Sequence, residues 1–237
     1  MRNFFILNLS NLPIIEQLRL EEALLRADTG NWCLINSGTS DAIVMGISGK
    51  AEQLIDQKIY HSSPVPLIKR FSGGGTVYVD KETIFVTFIA NETCTQVACQ
   101  PRKIMEWTDT LYSNFFSPHP FQTQENDYAM GDKKFGGNAQ YIQRGRWLHH
   151  TSFLWDYESQ KMAVLTLPQK RPAYRVNRSH DEFLTKLSLY YENKNSFIQS
   201  LSTYLKTSLS ATELSLQEVE GILLRPHRKA LSVLTIY

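Results

Sequence analysis

Lys69-Arg70-Phe71-Ser72-Gly73-Gly74-Gly75-Thr76-Val77-Tyr78-Val79-Asp80 is the stretch on which the reading of the whole chain turns. Three consecutive glycines permit positive φ and carry no side chains, so main-chain N–H groups come within hydrogen-bond reach of a ligand. A cation, Arg70, and a hydroxyl, Ser72, precede them. The alternating Thr76-Val77-Tyr78-Val79 run that follows predicts a strand. The pattern is strand, loop, strand. It is not a P-loop, because Gly-x-x-x-x-Gly-Lys-Ser/Thr is absent and no helical periodicity follows the glycines. On the loop alone two readings stay open, an anion cradle and a glycine-rich hairpin turn.

Outward from this loop, 237 residues allow one large domain, or one domain with a small appendage. Hydrophobic residues make up 42%, enough to bury a substantial core. A net charge of +2 does not supply the concentrated basic surface of a nucleic-acid protein. Cys33, Cys94 and Cys99 are too few and too irregular for a disulfide framework, and no further ligand accompanies them at zinc spacing. The opening Met1-Arg2-Asn3-Phe4-Phe5-Ile6-Leu7 is interrupted by Asn8 and Ser10 and predicts a first strand rather than a signal peptide. No apolar run approaches a membrane span. A cytoplasmic protein without membrane or nucleic-acid partners is the expectation.

Upstream of the loop, a helix is predicted from near Pro13, with Asn11 as its cap and Ile14, Leu18, Leu25 and Ala27 on one face. Glu21 falls on that face, where a carboxylate needs a partner; a buried ion pair or hydrogen bond is favoured over catalysis. Strands are predicted at Trp32–Asn36 and Ala42–Met45, and the small residues of Gly46-Ile47-Ser48-Gly49 could line a ligand channel. Downstream, Thr83–Ile89 is apolar on both alternating sets, so it belongs at the centre of a sheet covered on both faces. Arg102–Phe116 carries helical periodicity.

A second glycine-bearing signature is Asn126-Asp127-Tyr128-Ala129-Met130-Gly131-Asp132-Lys133-Lys134-Phe135-Gly136-Gly137-Asn138-Ala139. Tyr128–Met130 predicts a short strand, Gly131-Asp132 a hairpin turn, and Lys133–Phe135 the returning strand, broken or bulged at Gly136-Gly137. A lysine beside glycines on a rigid hairpin fixes an ammonium against a ligand; solvated turn charges are the alternative. Arg146–Asp156 predicts a further strand. Its adjacent His149 and His150 point to opposite faces, so at most one looks into any site. From 168 to 178 runs a basic, proline-containing loop, read as solvated or as a contact for an acidic partner. From Asp181 the pattern turns helical, with a last helix over Leu214–Leu224.

Together the two signatures resemble the lipoate–protein ligases, within the wider group of lipoyl, octanoyl and biotinyl ligases. Lys69–Asp80 is similar to the family's Arg-Arg-x-Ser-Gly-Gly-Gly-Ala-Val-x-His-Asp. Asn126-Asp127 with Gly131–Ala139 is similar to Asn-Asp…Gly-Asp-Arg-Lys-hydrophobic-Ser-Gly-Ser-Ala, and His149-His150-Thr151 to His-His-Gly. The resemblance implies an α/β (α+β) domain with a mixed, largely antiparallel sheet flanked by helices. It places the catalytic domain at 1–180 and a helical segment completing it at 181–237. It implies ATP-dependent activation of lipoate to lipoyl-AMP, with Mg²⁺, and transfer to a lysine of lipoyl acceptor domains of 2-oxoacid dehydrogenases or the glycine-cleavage carrier protein. On that resemblance Arg70 and the backbone of Gly75, Thr76, Val77 and Tyr78 bind nucleotide, and Ser72, Gly73, Gly74 and Gly137 shape the acyl channel. Lys134, not Lys133, falls on the catalytic lysine, contacting nucleotide and acyl group. Asp127 is the candidate metal ligand, with Asn126 and His149 as further candidates.

The resemblance has departures. Val79 replaces the usual histidine, Lys69 replaces an arginine that bonds bidentately, and Gly136-Gly137-Asn138-Ala139 replaces Ser-Gly-Ser-Ala. Many members carry a separate small C-terminal domain, for which the residues after Asp181 are too few. A complete one-domain activity, a separate accessory protein, or the transfer half-reaction alone each accommodate that. Rival readings are an ATP-independent lipoyl or octanoyl transferase and a non-catalytic module that binds lipoyl domains. No cysteine nucleophile lies near either motif, which counts against the transferase. The Gly-Arg-Gly-Arg-x-Gly loop of biotin ligases is absent.

Overall fold

Thr83–Asn91, the run apolar on both alternating sets, is buried at the middle of an eight-stranded sheet. The computed structural model describes residues 4–167 and 171–235. Residues 1–3, at the start of the predicted first strand, 168–170, at the start of the predicted basic loop, and 236–237 lie outside the described residues.

With strands numbered along the chain, the large sheet contains β1 (Phe4–Ser10), β2 (Asn31–Ser37), β6 (Thr83–Asn91), β7 (Phe121–Gln124), β8 (Asp127–Met130), β9 (Lys133–Gln143), β10 (Arg146–Leu154) and β11 (Thr212–Leu214). Their order is β11-β1-β2-β6-β10-β9-β8-β7. β1 runs parallel to β2 and β11, and the remaining pairs are antiparallel. A smaller sheet contains β3 (Ala42–Met45), β4 (Leu67–Lys69), β5 (Val77–Val79) and β12 (Ser232–Leu234), in the order β12-β4-β3-β5. The helices, in chain order, are α1 (Ile14–Ala27), α2 (Ala51–Leu54), α3 (Gln57–Ser62), α4 (Glu92–Thr95), α5 (Pro101–Phe116), α6 (Ser159–Met162), α7 (His180–Phe183), α8 (Lys194–Ser208) and α9 (Leu216–Leu223). This is a mixed α+β architecture with a largely antiparallel sheet flanked by helices, as expected from the sequence.

Each face of the large sheet has its own cover. On one, Phe88, Tyr128, Phe135, Trp147 and Phe153 pack with Tyr112 and Phe116 of α5 and Phe197, Leu201 and Leu205 of α8. On the other, Leu34, Ile89 and Leu148 meet Leu20 and Leu24 of α1 and Val219 and Ile222 of α9. The small sheet packs on this second face too: Val44, Ile68 and Val79 join Ile14 and Leu18 of α1 and Phe85 of β6. Val79 therefore belongs to a dry core behind β5.

Three expectations are corrected. Asn11 does not cap α1; it has positive φ, and the helix start is anchored by Ile14 N–H donating to Thr39 Oγ1 at 2.7 Å and Leu12 N–H donating to Asn36 Oδ1 at 3.2 Å. The β2–β3 turn thus does a cap's work from outside the helix. The last helix is shorter than predicted, because Ser215 and Glu218 form a capping box that starts it at Leu216, two residues later than Leu214, and it ends at Leu223. The segment from 181 is not wholly helical either: β11 extends the large sheet beside β1, and β12 edges the small sheet beside β4.

Candidate active site

The first signature is the loop from β4 to β5, and Arg70 organises it from within. Its guanidinium is buried and donates to Gly73 O at 3.0 Å and Gly75 O at 2.8 Å, with a weaker bond to Val44 O at 3.4 Å. Burial lowers it to about 10, opposed by nearby Glu21, so it remains a cation at neutral pH. Arg70, expected to contact nucleotide, folds the loop by drawing its carbonyls inward. Among the described residues, the N–H groups of Gly74, Gly75 and Thr76 donate to no backbone carbonyl, and the buried Thr76 hydroxyl has no partner. Gly74 has φ +109, and a Cβ there would lie 2.6 Å from the Arg70 guanidinium and 2.8 Å from Asn138 O. Gly75 faces open space. Ser72 is buried, and its carbonyl accepts Ile47 N–H at 3.0 Å. Tyr78 donates to Asp41 at 2.9 Å; burial and that carboxylate push its phenol well above its usual range.

The loop rests on β9. Gly73 N–H donates to Gln140 O at 3.1 Å, and the Cβ position of Gly74 lies 3.4 Å from Ala139 Cα. The two signatures therefore meet on one face of the large sheet.

A bulge sets which side chain looks into that meeting place. Tyr128 pairs with Gly136, but Ala129 pairs with Lys134, leaving Phe135 as the extra residue. Phe135 drops into the aromatic core, and Lys134 is turned to the opposite face, the one shared by Asp127 and Gly137. Regular pairing would have placed Lys134 opposite Met130 and pointed it at the aromatics. The bulge is at Phe135 rather than at the glycines. Gly136 is confined by Phe153, 3.0 Å from its Cβ position. Gly137 leaves room for the Lys134 ammonium, 3.5 Å from its own Cβ position. Lys133 is exposed at the turn.

Lys134 Nζ lies 2.7 Å from Asp127 Oδ1, and Tyr174 donates to Asp127 Oδ2 at 3.0 Å. Both oxygens of Asp127 are thus engaged, and Asn126 is exposed with its carbonyl taken by the Asn138 amide at 2.9 Å. Among the described residues no group of three or more His, Cys, Asp or Glu is arranged to hold a metal ion. Asp127 alone makes no all-protein cage; Mg²⁺ is commonly held by one or two carboxylates together with substrate phosphates.

His149 is turned away from the site. It is buried on the aromatic side, 3.1 Å from the Tyr128 hydroxyl and 3.0 Å from the Gln140 amide, and burial, aided by His150, pulls it down to about 3. Its neighbour His150 is the histidine on the site's face, paired in register with Ala139. His150 Nδ1–H donates to Glu21 at 2.9 Å, and Thr87 and Gln17 donate to the same carboxylate at 2.7 and 2.8 Å. This is the buried partner that Glu21 required. The alternation of β10 narrows the choice to one of two histidines, but not which one.

The basic loop proves to be a strap over the second signature. Tyr174 reaches Asp127, Ala173 N–H donates to Glu125 at 2.6 Å, and Arg178 bonds Asp132 at 3.0 Å. Its acidic partner lies within the chain. Arg175 is buried over the Phe183 ring, 4.7 Å from its centroid, with Nη2 lacking a partner among the described residues. Arg175 counts in sequence only among the cations of the basic loop, and nothing there points to Tyr174.

Chemically, this face of the sheet carries unengaged main-chain N–H groups and a buried hydroxyl on the loop and, over Gly137, a lysine ammonium. Such a set stabilises negative charge at a fixed position. Among the described residues no helix is long and apolar enough to cross a membrane.

The family model of the lipoyl protein ligase A/B catalytic domain matches residues 13–210. The inactive lipoate–protein ligase 2 of Plasmodium falciparum is 28% identical, over 85% of this chain and 69% of its own length. In fold, the chain resembles a lipoate-protein ligase A crystallised with ATP, with TM-score 0.75 and 16% identity, over 94% of this chain and 93% of that one. It also resembles a structure of the bipartite lipoate protein ligase and E2 lipoyl domain of Thermoplasma acidophilum, with TM-score 0.72 and 16% identity, over 94% and 91%.

Proposed function

Because the chain belongs to the lipoyl protein ligase A/B catalytic domain family, we propose that it activates lipoate with ATP and transfers the lipoyl group to a lysine of a lipoyl acceptor domain. The observation that carries this reading is the seating of the glycine loop on β9, on the face where Lys134 lies over Gly137. In the first step a lipoate carboxylate oxygen attacks the α-phosphorus of ATP. The bond to the β-phosphate oxygen breaks and pyrophosphate leaves. In the second, the acceptor amine attacks the acyl carbon, the carbon–oxygen bond to phosphate breaks, AMP leaves, and the amine's proton passes to solvent.

Both steps concentrate negative charge between acyl group and α-phosphate. In this reading the N–H groups of Gly74, Gly75 and Thr76, with the Lys134 ammonium, stabilise that charge. Gly137, lacking a side chain, leaves the place beside Lys134 where the carboxylate docks. Ser72, Gly73 and Gly74 wall the acyl chain, and the backbone through Val77 and Tyr78 carries the nucleotide. Asp127 holds Lys134 until substrate takes over as its partner. ATP binding in one fold relative, and the E2 lipoyl domain studied with another, support the choice of substrate and acceptor.

A second reading, a lipoyl-domain-binding module without chemistry, draws on the relative named an inactive ligase. The test is to mix the purified protein with lipoate, ATP and Mg²⁺, follow pyrophosphate, then add a lipoyl domain and weigh it. Pyrophosphate release before the acceptor is added, followed by a lipoyl mass gain, is expected. Transfer only from supplied lipoyl-AMP would leave the second half-reaction alone. Failure of both, with the acceptor still bound, would favour the module.

A further inference from the structure

We propose that an arginine-lined cleft behind the glycine loop docks an acidic face of the protein that presents the acceptor lysine; this rests on the transfer reaction proposed above. The cleft, about 330 Å³, is lined by Arg26, Tyr141, Gln143, Arg144, His227 and Arg228. It brings the β9–β10 turn against the segment that follows α9. No carboxylate is among its lining residues.

The charges in it are unequal in standing. Arg26 is committed internally: its Nε is 2.9 Å from Glu22, its Nη1 donates to Gln143 at 3.0 Å, and its guanidinium lies 4.9 Å from the Tyr141 ring centroid. Glu22 is consumed in the same network, accepting Ala230 N–H at 3.0 Å. His227 Nδ1 donates to Arg225 O at 2.7 Å, which leaves Nε2 for the cleft. Arg144 and Arg228 are exposed, and among the described residues neither is within ion-pair distance of a carboxylate. The result is a rigid aromatic and guanidinium floor with two unpaired arginines at its rim. Exposed guanidiniums hold a small free anion weakly, because water and salt screen them. Several carboxylates on one folded surface engage the same two arginines and the floor together, which is the arrangement arginine favours at interfaces.

Position ties this cleft to transfer. Gly137, Ala139 and Tyr141 alternate onto the same face of β9, and Phe71, next to Ser72, packs on Tyr141 with centroids 5.5 Å apart. Tyr141 is four residues from Gly137, which is about 14 Å along a strand. A folded domain of about 100 residues has a radius of gyration near 13 Å. A domain of that size with its lysine extended to the Lys134 end of the site therefore covers the cleft as well.

The experiment is a charge reversal, Arg144→Glu with Arg228→Glu, read with a recombinant lipoyl domain bearing its unmodified lysine. Direct binding and the transfer KM are measured at low and raised ionic strength, and pyrophosphate release is measured without acceptor. Acceptor affinity is expected to fall about tenfold at low salt and to lose most of its salt dependence. Adenylate formation stays at the wild-type rate. A lipoyl domain with its acidic residues near the lysine changed to amides should lose affinity for the wild type but not for the double variant. Unchanged affinity and salt dependence in the double variant overturn the proposal. So does loss of inorganic phosphate binding with acceptor affinity intact, which would make the cleft a small-anion site. The binding arm reads the same result if the wild type makes no adenylate, so failure of the proposed chemistry is told apart from failure of the docking surface.

Discussion

Gly46→Ala is a small change with a large lever. Gly46 leaves β3 directly beneath the glycine loop, and a Cβ built there lies 2.2 Å from Gly74 O. The obstacle is backbone, so no side chain can swing aside. To reach the 3.0 Å below which real Cβ contacts are essentially never found, that carbonyl must retreat by roughly 0.8 Å. The loop has little freedom to absorb this. Gly73 N–H is tied to Gln140, and Gly75 O is held by Arg70 at 2.8 Å. The displacement therefore passes to the N–H groups of Gly74, Gly75 and Thr76, which we assign to the adenylate. A misplacement near 1 Å costs about a hundredfold in rate. Overpacking costs about 1–3 kcal/mol of stability, or roughly 2–4 °C in Tm per kcal/mol for a chain of this size. The assay is the initial rate of pyrophosphate release alongside a thermal melt. Gly221→Ala serves as control, because that exposed glycine in α9 has nothing within 4 Å of its Cβ position and alanine favours the helix. A Gly46→Ala protein with wild-type rate and Tm would refute the reasoning, as would an equal loss in Gly221→Ala.

Lys134→Ala is expected to abolish both half-reactions with the protein still folded by circular dichroism, while Lys133→Ala changes the rate less than about threefold, as surface substitutions do; equal losses would mean the wrong lysine has been assigned. Glu21→Ala leaves His150, Thr87 and Gln17 without their shared acceptor, and urea denaturation should register a loss of about 3 kcal/mol; a loss under about 0.5 kcal/mol would deny the carboxylate that role. His149 is held neutral by burial, with its value pulled down to about 3 from 6.5. Protonation below pH 6.5 therefore favours the unfolded chain: this contribution is complete above 6.5 and is lost as pH falls toward 3, at about 1.4 kcal/mol per unit. Denaturation of His149→Gln across pH 6.5 to 4 should show a shallower acid decline, and an unchanged slope would contradict a neutral buried imidazole.

How far the sequence led depended on the range of the interaction concerned. β6 and α5 were legible because each carries a local signal of its own, an uninterrupted apolar run in β6 and a helical period in α5. β11 and β12 were not, since three-residue edge strands exist only through the partners they find, β1 and β4. The two glycine signatures were visible as motifs, but their meeting on β9 is a long-range event with no local trace. Parity was the subtler loss. The alternation of β10 separates His149 from His150 without saying which faces the loop. The extra residue at Phe135 inverts the face of Lys134, and only the pairing with β8 reveals it. The strap over 171–178 was read as a solvated loop because its acidic partners, Glu125, Asp127 and Asp132, lie some fifty residues upstream.

The replacement of a histidine by Val79 reads differently once the fold is in place. In sequence it is a departure from the family motif that loses any polar contact the histidine makes. In the structure its side chain lies among Ile14, Leu18, Val44, Ile68 and Phe85. A valine there fits its surroundings, and the substitution acts on the packing of α1 against the small sheet. The chemistry we propose is centred elsewhere, at the Lys134–Asp127 pair. That pair is partly open to solvent, with side-chain exposures of 23% and 9%, so it is a modest contributor to stability. Tyr174 holds the other carboxylate oxygen, which keeps Asp127 in place when its lysine turns to a new partner. A module that only binds lipoyl domains has no use for an ammonium poised over a glycine, on the face where the glycine loop leaves N–H groups that donate to no backbone carbonyl. The bulge that turns Lys134 toward that face is the strongest structural argument for chemistry in this chain.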